Sequence, residues 1–498
     1  MKILLVQPAP FEPGRLGLEN VIWLSEPVAL TSLAAMVPEH EVRILDMRLE
    51  PDLAFNRTLL EFRPDLVGTT SMTTDCYQAR ALLTVAKGTL GDGCFTLVGG
   101  HHPTLSPEDF EDDVVDSLCL GEGEDTFREL CQHLSGGGSP RELHGIAGLR
   151  FRDASGSFVT TKKREQIRDL DTFPAPARHL IPERYRGEYF FTFASPIASM
   201  ATSRGCSFDC NFCAIWEFYE RRTRFMSAAA ICDRLEKMPE KVVFLLDDNF
   251  LTSKARLEEL CDEIGRRKIR KFFGTQGRAD FIADHPDTMR RLRDAGLLMV
   301  LSGYESNDDD ALASLRKKAT YDKNKKAAEI LRGLGIMSTG IFMARPDFSE
   351  RDFDDLYGII NDMGIALPLV TILTPLPGTE LYRKRKHELL THDVRLFDLL
   401  HAVLPTKLPR EVFYRKLAEK NVATTPAVLK GAFATLSRRP SFLVRCLPGA
   451  VRFMSKAKRY RPILQSGESH LRDEIGIIPA EARAVETPLP MPALEAVS

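Results

Sequence analysis

The chain has 498 residues, 44% of them apolar and 27% charged, with a formal net charge of -2 at pH 7. That length allows two or three domains and a sizeable core, and the near-zero charge excludes a polyelectrolyte that binds nucleic acid with its whole surface. The opening MKILLVQPAP lacks the apolar core and cleavage site of a signal peptide, and no run reaches the roughly 18 uninterrupted apolar residues of a membrane span, so a cytoplasmic location is expected.

From the N-terminus, short apolar runs alternate with helical patterns. Strands are predicted at Ile3–Val6, Val42–Leu45, Leu66–Thr69, Phe95–Val98 and Ser117–Leu120, with helices between them at Ala29–Met36 and Tyr77–Leu90. This alternation implies a doubly wound, Rossmann-like parallel sheet over residues 1–135. Gly99-Gly100 follows a strand directly, at the carboxyl edge where such sheets bind ligands. Residues 136–190, opened by Gly136-Gly137-Gly138 and stiffened by Phe173-Pro174-Ala175-Pro176, read as a linker.

A second alternating series spans 191–388. Strands are predicted at Ala198–Thr202, Val242–Leu246, Phe272–Gln276, Leu298–Gly303, Ser338–Met343 and Leu369–Leu373, with one helix capped by Ser227 and another carrying Asn324–Gly333. Six β/α units in roughly 190 residues fit a partial parallel barrel better than a closed one of eight. Residues 389–470 read as helical, and 471–498, rich in Pro, Ala and Glu, as a disordered tail. Between 421 and 467 cations including Lys430, Arg438, Arg439, Arg445, Arg452 and Arg461 alternate with large apolar residues such as Phe433, Leu436, Phe442 and Phe453, with no acidic residue. That composition suits a helix lying on anionic lipid, or a solvated helical cap. Nucleic acid is not expected as a partner.

Ten cysteines in a chain of this length are not a disulfide framework. Seven stand singly, at Cys76, Cys94, Cys119, Cys131, Cys232, Cys261 and Cys446, and are expected to be small buried hydrophobes. The other three form the strongest local signal: Arg204-Gly205-Cys206-Ser207-Phe208-Asp209-Cys210-Asn211-Phe212-Cys213, spaced C-x3-C-x2-C. Three thiolates on one short loop can hold three irons of a cubane and leave the fourth open, whereas an electron-transfer cluster wants a fourth cysteine. A closed zinc site also wants four ligands, and no histidine lies close by.

The triplet resembles the signature of the radical S-adenosylmethionine (SAM) superfamily. The resemblance implies a [4Fe–4S] cluster on Cys206, Cys210 and Cys213, with SAM chelated to the open iron and cleaved to a 5′-deoxyadenosyl radical. It also implies SAM contacts at segments that each follow a strand: Phe212, then Asp247, Asp248 and Asn249, then Gln276 and Arg278, then Glu305 and Ser306, with Thr374-Pro375-Leu376-Pro377-Gly378-Thr379 after the sixth. Asp248 and Glu305 are the leading SAM contacts.

The N-terminal part resembles cobalamin-binding domains. The matching residues are Ser71-Met72-Thr73, then Gly99-Gly100, then Gly121-Glu122-Gly123-Glu124. The resemblance implies that Ser71, Thr73, Gly99, Gly100, His101, Gly121, Glu122 and Gly123 contact cobalamin, with His102 a further neighbour. One departure is clear: where the family carries a cobalt-ligating histidine, this chain reads Asp46-Met47-Arg48. That disfavours mutase chemistry and suits the family's class B methylases, which use methylcobalamin without such a histidine.

The combined resemblance implies a radical SAM C-methyltransferase acting on an unactivated carbon. The layout is similar to that of bacterial lipid-modifying members, which implies a hopanoid or other lipid methylated at C-3. A flavodoxin- or ferredoxin-type reductant and peripheral contact with the inner face of the membrane are implied with it. The alternatives are a cobalamin-dependent cyclase or rearrangement enzyme and a non-catalytic cobalamin and iron–sulfur sensor. A methylthiotransferase is disfavoured, because the N-terminal part lacks a second cysteine triplet.

Overall fold

Strands buried on both faces need near-continuous apolar runs, and the first part of the chain supplies them. In the computed structural model, which describes residues 1–9, 23–51, 53–191, 194–438, 468–474 and 476–478, these runs form a seven-stranded sheet. Its strands are β1 (Lys2–Gln7), β2 (Glu41–Asp46), β3 (Leu66–Thr70), β4 (Phe95–Gly99), β5 (Ser117–Cys119), β6 (Leu149–Arg152) and β7 (Phe158–Thr160), in the order β2-β1-β3-β4-β5-β6-β7. The first five are parallel and the last two antiparallel. Ile3, Leu5, Ile44, Leu66 and Leu97 pack with Leu30, Phe127 and Leu130 from the flanking helices. The strand order reverses beside β1, so the carboxyl ends of β1 and β3 flank a topological switch point.

Residues 136–190, read as a linker from the sequence, supply β6 and β7 and belong to the same compact unit up to Tyr189. Gly136-Gly137-Gly138 ends the helix Glu124–Ser135 rather than a domain. The physical reason is local: β6 buries only alternate residues, Leu149 and Phe151, and so short a half-covered strand has no long apolar run to announce it.

The second unit begins at Phe190 and includes the short earlier segment around Trp23–Leu24, which pairs with Phe190–Phe191. Six parallel strands follow in sequence order: β8 (Ile197–Met200), β9 (Val242–Leu245), β10 (Phe272–Gln276), β11 (Leu297–Glu305), β12 (Met337–Ala344) and β13 (Leu367–Ile372). Each strand returns through helix, as parallel connections require. On the outer face, Leu245, Phe273 and Leu297 pack against Ile231, Leu260 and Leu292 of the helices. On the inner face, Phe191, Phe244, Met299 and Met337 close the amino-terminal floor, with Phe191 stacked on Phe244 at 4.7 Å between ring centres. Ser227 caps the helix Ala228–Lys237, its hydroxyl accepting the Ala230 amide at 3.1 Å, a contact contributing about 1 kcal/mol.

Beyond β13 come the short helix Glu380–Arg385, a run of turns, and the helices Arg410–Ala423, Thr425–Arg438 and Glu468–Asp473. Leu396, Phe397, Val403 and Ile478 form a small core there. The basic, apolar stretch beyond Arg438 and the tail after Ile478, on which the expectations of a lipid-binding helix and a disordered tail fall, lie outside the described residues. Among the described residues no helix is long and apolar enough to cross a membrane. Cys76, Cys94, Cys119, Cys131, Cys232 and Cys261 are all buried, and burial pushes their thiols up, as small core hydrophobes require; Cys446 lies outside the described residues.

Candidate active site

The three clustered cysteines sit on a loop that the second unit pins at both ends. Strand β8 ends at Met200, and Ser203–Arg204 then pairs with Arg224–Phe225 in a small ribbon that carries the chain into the loop. Under this ribbon lies Asp247, 1% exposed. Its carboxylate accepts the amides of Thr202, at 2.6 Å, and Ser203, and the hydroxyl of Thr202. Arg256 in turn donates to the Thr202 hydroxyl at 2.6 Å and to its carbonyl at 3.2 Å. Asp247, expected among the SAM contacts, therefore holds the approach to the loop. Gly205 turns with φ +85°, and any side chain there would run into the Arg222 carbonyl.

Further anchors come from the segment 314–318 and from the helix Glu380–Arg385. Asn211 donates its side-chain amide to the Ser314 carbonyl at 2.7 Å and its backbone amide to Leu315 at 3.3 Å. The Leu381 amide donates back to Asn211 at 2.9 Å, and the Trp216 indole to the Cys210 carbonyl at 2.8 Å. Asp209 pairs with Lys318 at 2.8 Å. Phe212 packs with Leu315, Met343, Leu373 and Leu381, an apolar contact that seats the loop on the barrel rim. Burial pushes the Cys206 thiol up and the Cys213 thiol up to about 12, each raised further by the neighbouring cysteine thiolates and Asp248. Three mutually interacting thiols on one loop are the donor set an open-sided cubane needs, and metal binding there must release their protons.

Around this loop the structure gathers most of the other expected residues at the carboxyl ends of the strands. Asp248 accepts the Gly205 amide at 3.2 Å, and burial pushes its carboxyl up to about 6. Asn249 beside it is 2% exposed, and neither atom of its amide has a partner among the described residues. A buried primary amide without partners is costly, and it fits a polar ligand such as SAM. Gln276 is half-buried on the inner face at the end of β10. Glu305 has φ +62° at a bulge ending β11, and its carboxylate meets the Lys317 ammonium at 2.7 Å. Both fold over the bare face of Gly303, where a Cβ would lie 2.8 Å from Nζ of Lys317. The Ser306 hydroxyl accepts the Asp308 amide at 3.1 Å.

Arg278 is 7% exposed and fully engaged. It pairs with Asp280 at 2.9 Å, donates to the Lys317 carbonyl, lies 3.7 Å above the Phe208 ring and brings Nη1 to 3.9 Å from the Cys210 sulfur. Lys317 and Arg256 were not singled out from the sequence. A lysine inside Arg316-Lys317-Lys318 reads as solvent-facing, and no local signal marks Arg256.

In the first unit, the expected cobalamin contacts share the carboxyl edge of β3, β4 and β5. The Ser71 hydroxyl lies within donating distance of Asp75, at 2.9 Å, and of the Met72 carbonyl, both inside its own loop. Thr73 lies 3.3 Å from Nδ1 of His102. His102, for which an exposed loop setting is the commoner expectation, is 1% exposed and meets Asp109 at 2.9 Å through Nε2. Burial pushes the half-buried His101 imidazole down to about 4, so it is neutral at pH 7. Gly99 ends β4, and Gly100, with φ +111°, brings its Cα so close to the Ser71 turn that a Cβ would lie 2.6 Å from the Ser71 carbonyl. Gly121 donates its amide to Thr104 and faces open space, Glu122 accepts the Ile167 amide at 3.1 Å, and Gly123 caps the helix Glu124–Ser135. Met72 stands 51% exposed on this edge, an apolar surface that a flat macrocycle would cover. Asp46 is fully buried and bound by Arg48 at 2.7 Å and by the Tyr189 hydroxyl at 3.1 Å.

Residues 18–131 match the B12 binding domain family and residues 200–360 the radical SAM superfamily. The hopanoid C-3 methylase of Methylococcus capsulatus is 31% identical over 84% of this chain and 79% of its own length. Among solved structures, the cobalamin-dependent SAM radical enzyme OxsB, with aqua-cobalamin and SAM bound, is similar in fold at TM-score 0.66 and 15% identity, covering 97% of this chain and 82% of its own. The radical SAM methyltransferase TsrM from Kitasatospora setae, with cobalamin and a [4Fe–4S] cluster, gives 0.60 at 19% identity over 76% of both chains. Matches to both domain families, in this order and along most of the chain, leave one conclusion: the chain belongs to the cobalamin-binding radical SAM family, as a methyltransferase that uses a [4Fe–4S] cluster, S-adenosylmethionine and cobalamin.

Proposed function

We propose that this enzyme methylates an unactivated carbon of a hopanoid or other membrane lipid, at C-3 of the hopanoid. The observation that carries this reading is the inner wall of the partial barrel. In parallel strands, residues in register point to the same side. Gln276, Leu301, Thr339 and Leu367 form one such row, and Gly303, Ile341 and Leu369 the next. They share their face with Gly274 and Met299 of the floor, and Leu301, Ile341, Leu367 and Leu369 are only partly buried. A concave wall of accessible aliphatic side chains suits a bulky apolar substrate. The 31% identity to a hopanoid methylase points the same way.

In this reading residues 1–135 serve cobalamin and 191–388 the cluster and SAM, while within 389–470 the helices Arg410–Ala423 and Thr425–Arg438 pack on the second unit. Cys206, Cys210 and Cys213 hold the cluster, Asp248, Asn249 and Glu305 face SAM, and Gly99, Gly100, Gly121 and their neighbours receive cobalamin. Bound there, the cluster and SAM would supply the means to break an unreactive C–H bond, and cobalamin the methyl group. The protein's own work is to present Asp248, a carboxylate above a pH of about 6, to the SAM ammonium and to keep the aliphatic wall free of water. The reductant is a low-potential flavodoxin or ferredoxin, and the lipid is met at the inner face of the membrane. Leu429 and Phe433, 65% and 75% exposed and one turn apart on the helix Thr425–Arg438, suit that contact.

The test is lipid profiling of a host with and without this chain, together with product analysis of the purified enzyme. The expected outcome is a C-3 methylated hopanoid and one S-adenosylhomocysteine per methyl group. A changed porphyrin, or SAM cleavage with no S-adenosylhomocysteine, would replace this reading with the cyclase alternative.

A further inference from the structure

A cluster's reduction potential depends on its net charge, on hydrogen bonds to its sulfurs and on solvent exposure, so a buried cation beside a ligating sulfur is a chemical control. Arg278 is placed as one. Its guanidinium stacks on Phe208, inside the cysteine loop, with Cζ 3.7 Å from the ring centre, and Nη1 lies 3.9 Å from Sγ of Cys210. The same group donates to the Lys317 carbonyl, tying the loop to the segment 314–318. On its other side Asp280 holds Nε at 3.0 Å and Nη2 at 2.9 Å. The arginine side chain is 8% exposed and the aspartate 17%. Every donor nitrogen is thus committed to protein or to the cysteine sulfur, which leaves no free fork to clamp the SAM carboxylate.

We infer that Arg278 is a positioning residue that sets the reduction potential of the cluster, with Asp280 attenuating its charge. The inference rests on the assignment of the cluster to Cys206, Cys210 and Cys213. A cubane held by three thiolates is anionic and gains one further negative charge when an external low-potential one-electron donor reduces it. In a poorly solvated site a neighbouring cation stabilises the reduced form. Arg278 raises the potential, and Asp280 moderates that rise. The pair therefore makes two substitutions act in opposite directions, which a purely structural salt bridge does not.

The experiment uses the full chain, reconstituted anaerobically and titrated without SAM, with the reduced cluster followed by electron paramagnetic resonance. Iron and sulfide content are measured for every variant. Arg278→Gln is expected to move the midpoint to more negative potential, Asp280→Asn to more positive potential, and Arg278→Lys to stay nearer the parent. Equilibrium affinity for SAM is expected to change less than about threefold in Arg278→Gln. An unmoved midpoint in a fully loaded Arg278→Gln variant overturns the inference, as does a large loss of SAM affinity with the midpoint unmoved. If Arg278→Gln fails to load, Asp280→Asn decides, because it keeps the guanidinium: a midpoint that stays or falls overturns the inference. Failure of the parent itself to take up a cluster on these cysteines would overturn the underlying assignment instead, and iron content distinguishes the two.

Discussion

The two units solve the same problem, presenting a ligand edge at the carboxyl ends of parallel strands, with different materials. In the first, the edge rests mainly on backbone: glycines at 99, 100 and 121 around a Ser71 turn closed on Asp75. In the second, the edge is made of buried charge: Asp247 under the ribbon, Arg278 against the loop, Glu305 against Lys317. The difference teaches that a backbone edge fails when volume is added, whereas a charged edge fails when a partner is removed.

The largest effect tests the assignment on which the comparison depends. Replacing Cys206, Cys210 and Cys213 by Ala should abolish both cluster and SAM cleavage, while cobalamin still binds to the first unit. Replacing Cys232 or Cys261 should leave the cluster in place; absorbance, iron content and 5′-deoxyadenosine formation report it. A cluster that survives the triple change would remove the charged edge from the comparison.

Next comes Asp247→Ala, which leaves the amides of Thr202 and Ser203 without their buried acceptor. Each orphaned donor costs about 1–3 kcal/mol. Cluster uptake should fall at least tenfold and the thermal midpoint of the second unit should drop, with cobalamin affinity unchanged. Equal loss of both cofactors would mean that the two edges are not separable.

Gly100→Ala is the matching change in the first unit. It forces a Cβ to 2.6 Å from the Ser71 carbonyl at a φ of +111°. Strain of this kind costs about 1–3 kcal/mol, so cobalamin affinity should fall about tenfold while iron content stays at the parent value. Spectroscopy sharpens the same edge: cob(II)alamin should show no nitrogen splitting from residues 46–51, because that segment holds no imidazole. If the splitting appears, His101 is the first residue to replace.

The smallest effect is a titration. Burial raises Asp248 to about 6 from the ordinary carboxylate value. A raised acid is protonated first in the folded state, so its contribution to stability is lost as pH rises from about 4 toward 6, and its negative charge is complete only above that range. SAM affinity should therefore weaken several-fold between pH 7 and pH 5. Asp248→Asn should bind SAM more weakly at pH 7 and remove the pH dependence; a slope that survives the substitution would assign it elsewhere.

What the sequence determined is what short-range chemistry can carry. Apolar runs alternating with helical patterns specified the parallel strands of both sheets, because a strand covered on both faces has no alternative to continuous apolar character. The C-x3-C-x2-C spacing was legible because its three thiols fall on one short stretch of chain. Strands β6 and β7 were not legible, since Leu149 and Phe151 bury one side of a short edge and look like loop. Nor were the partners that settle what each polar residue does. Asp247 meets Thr202 across 45 residues, Arg278 meets Cys210 across 68, and Lys317 becomes a buried cation because Glu305 folds back over Gly303. Charge acts through space and through the solvent that tertiary packing excludes, so the candidate residues were readable in sequence, but which protein partner each one meets was decided only by the fold.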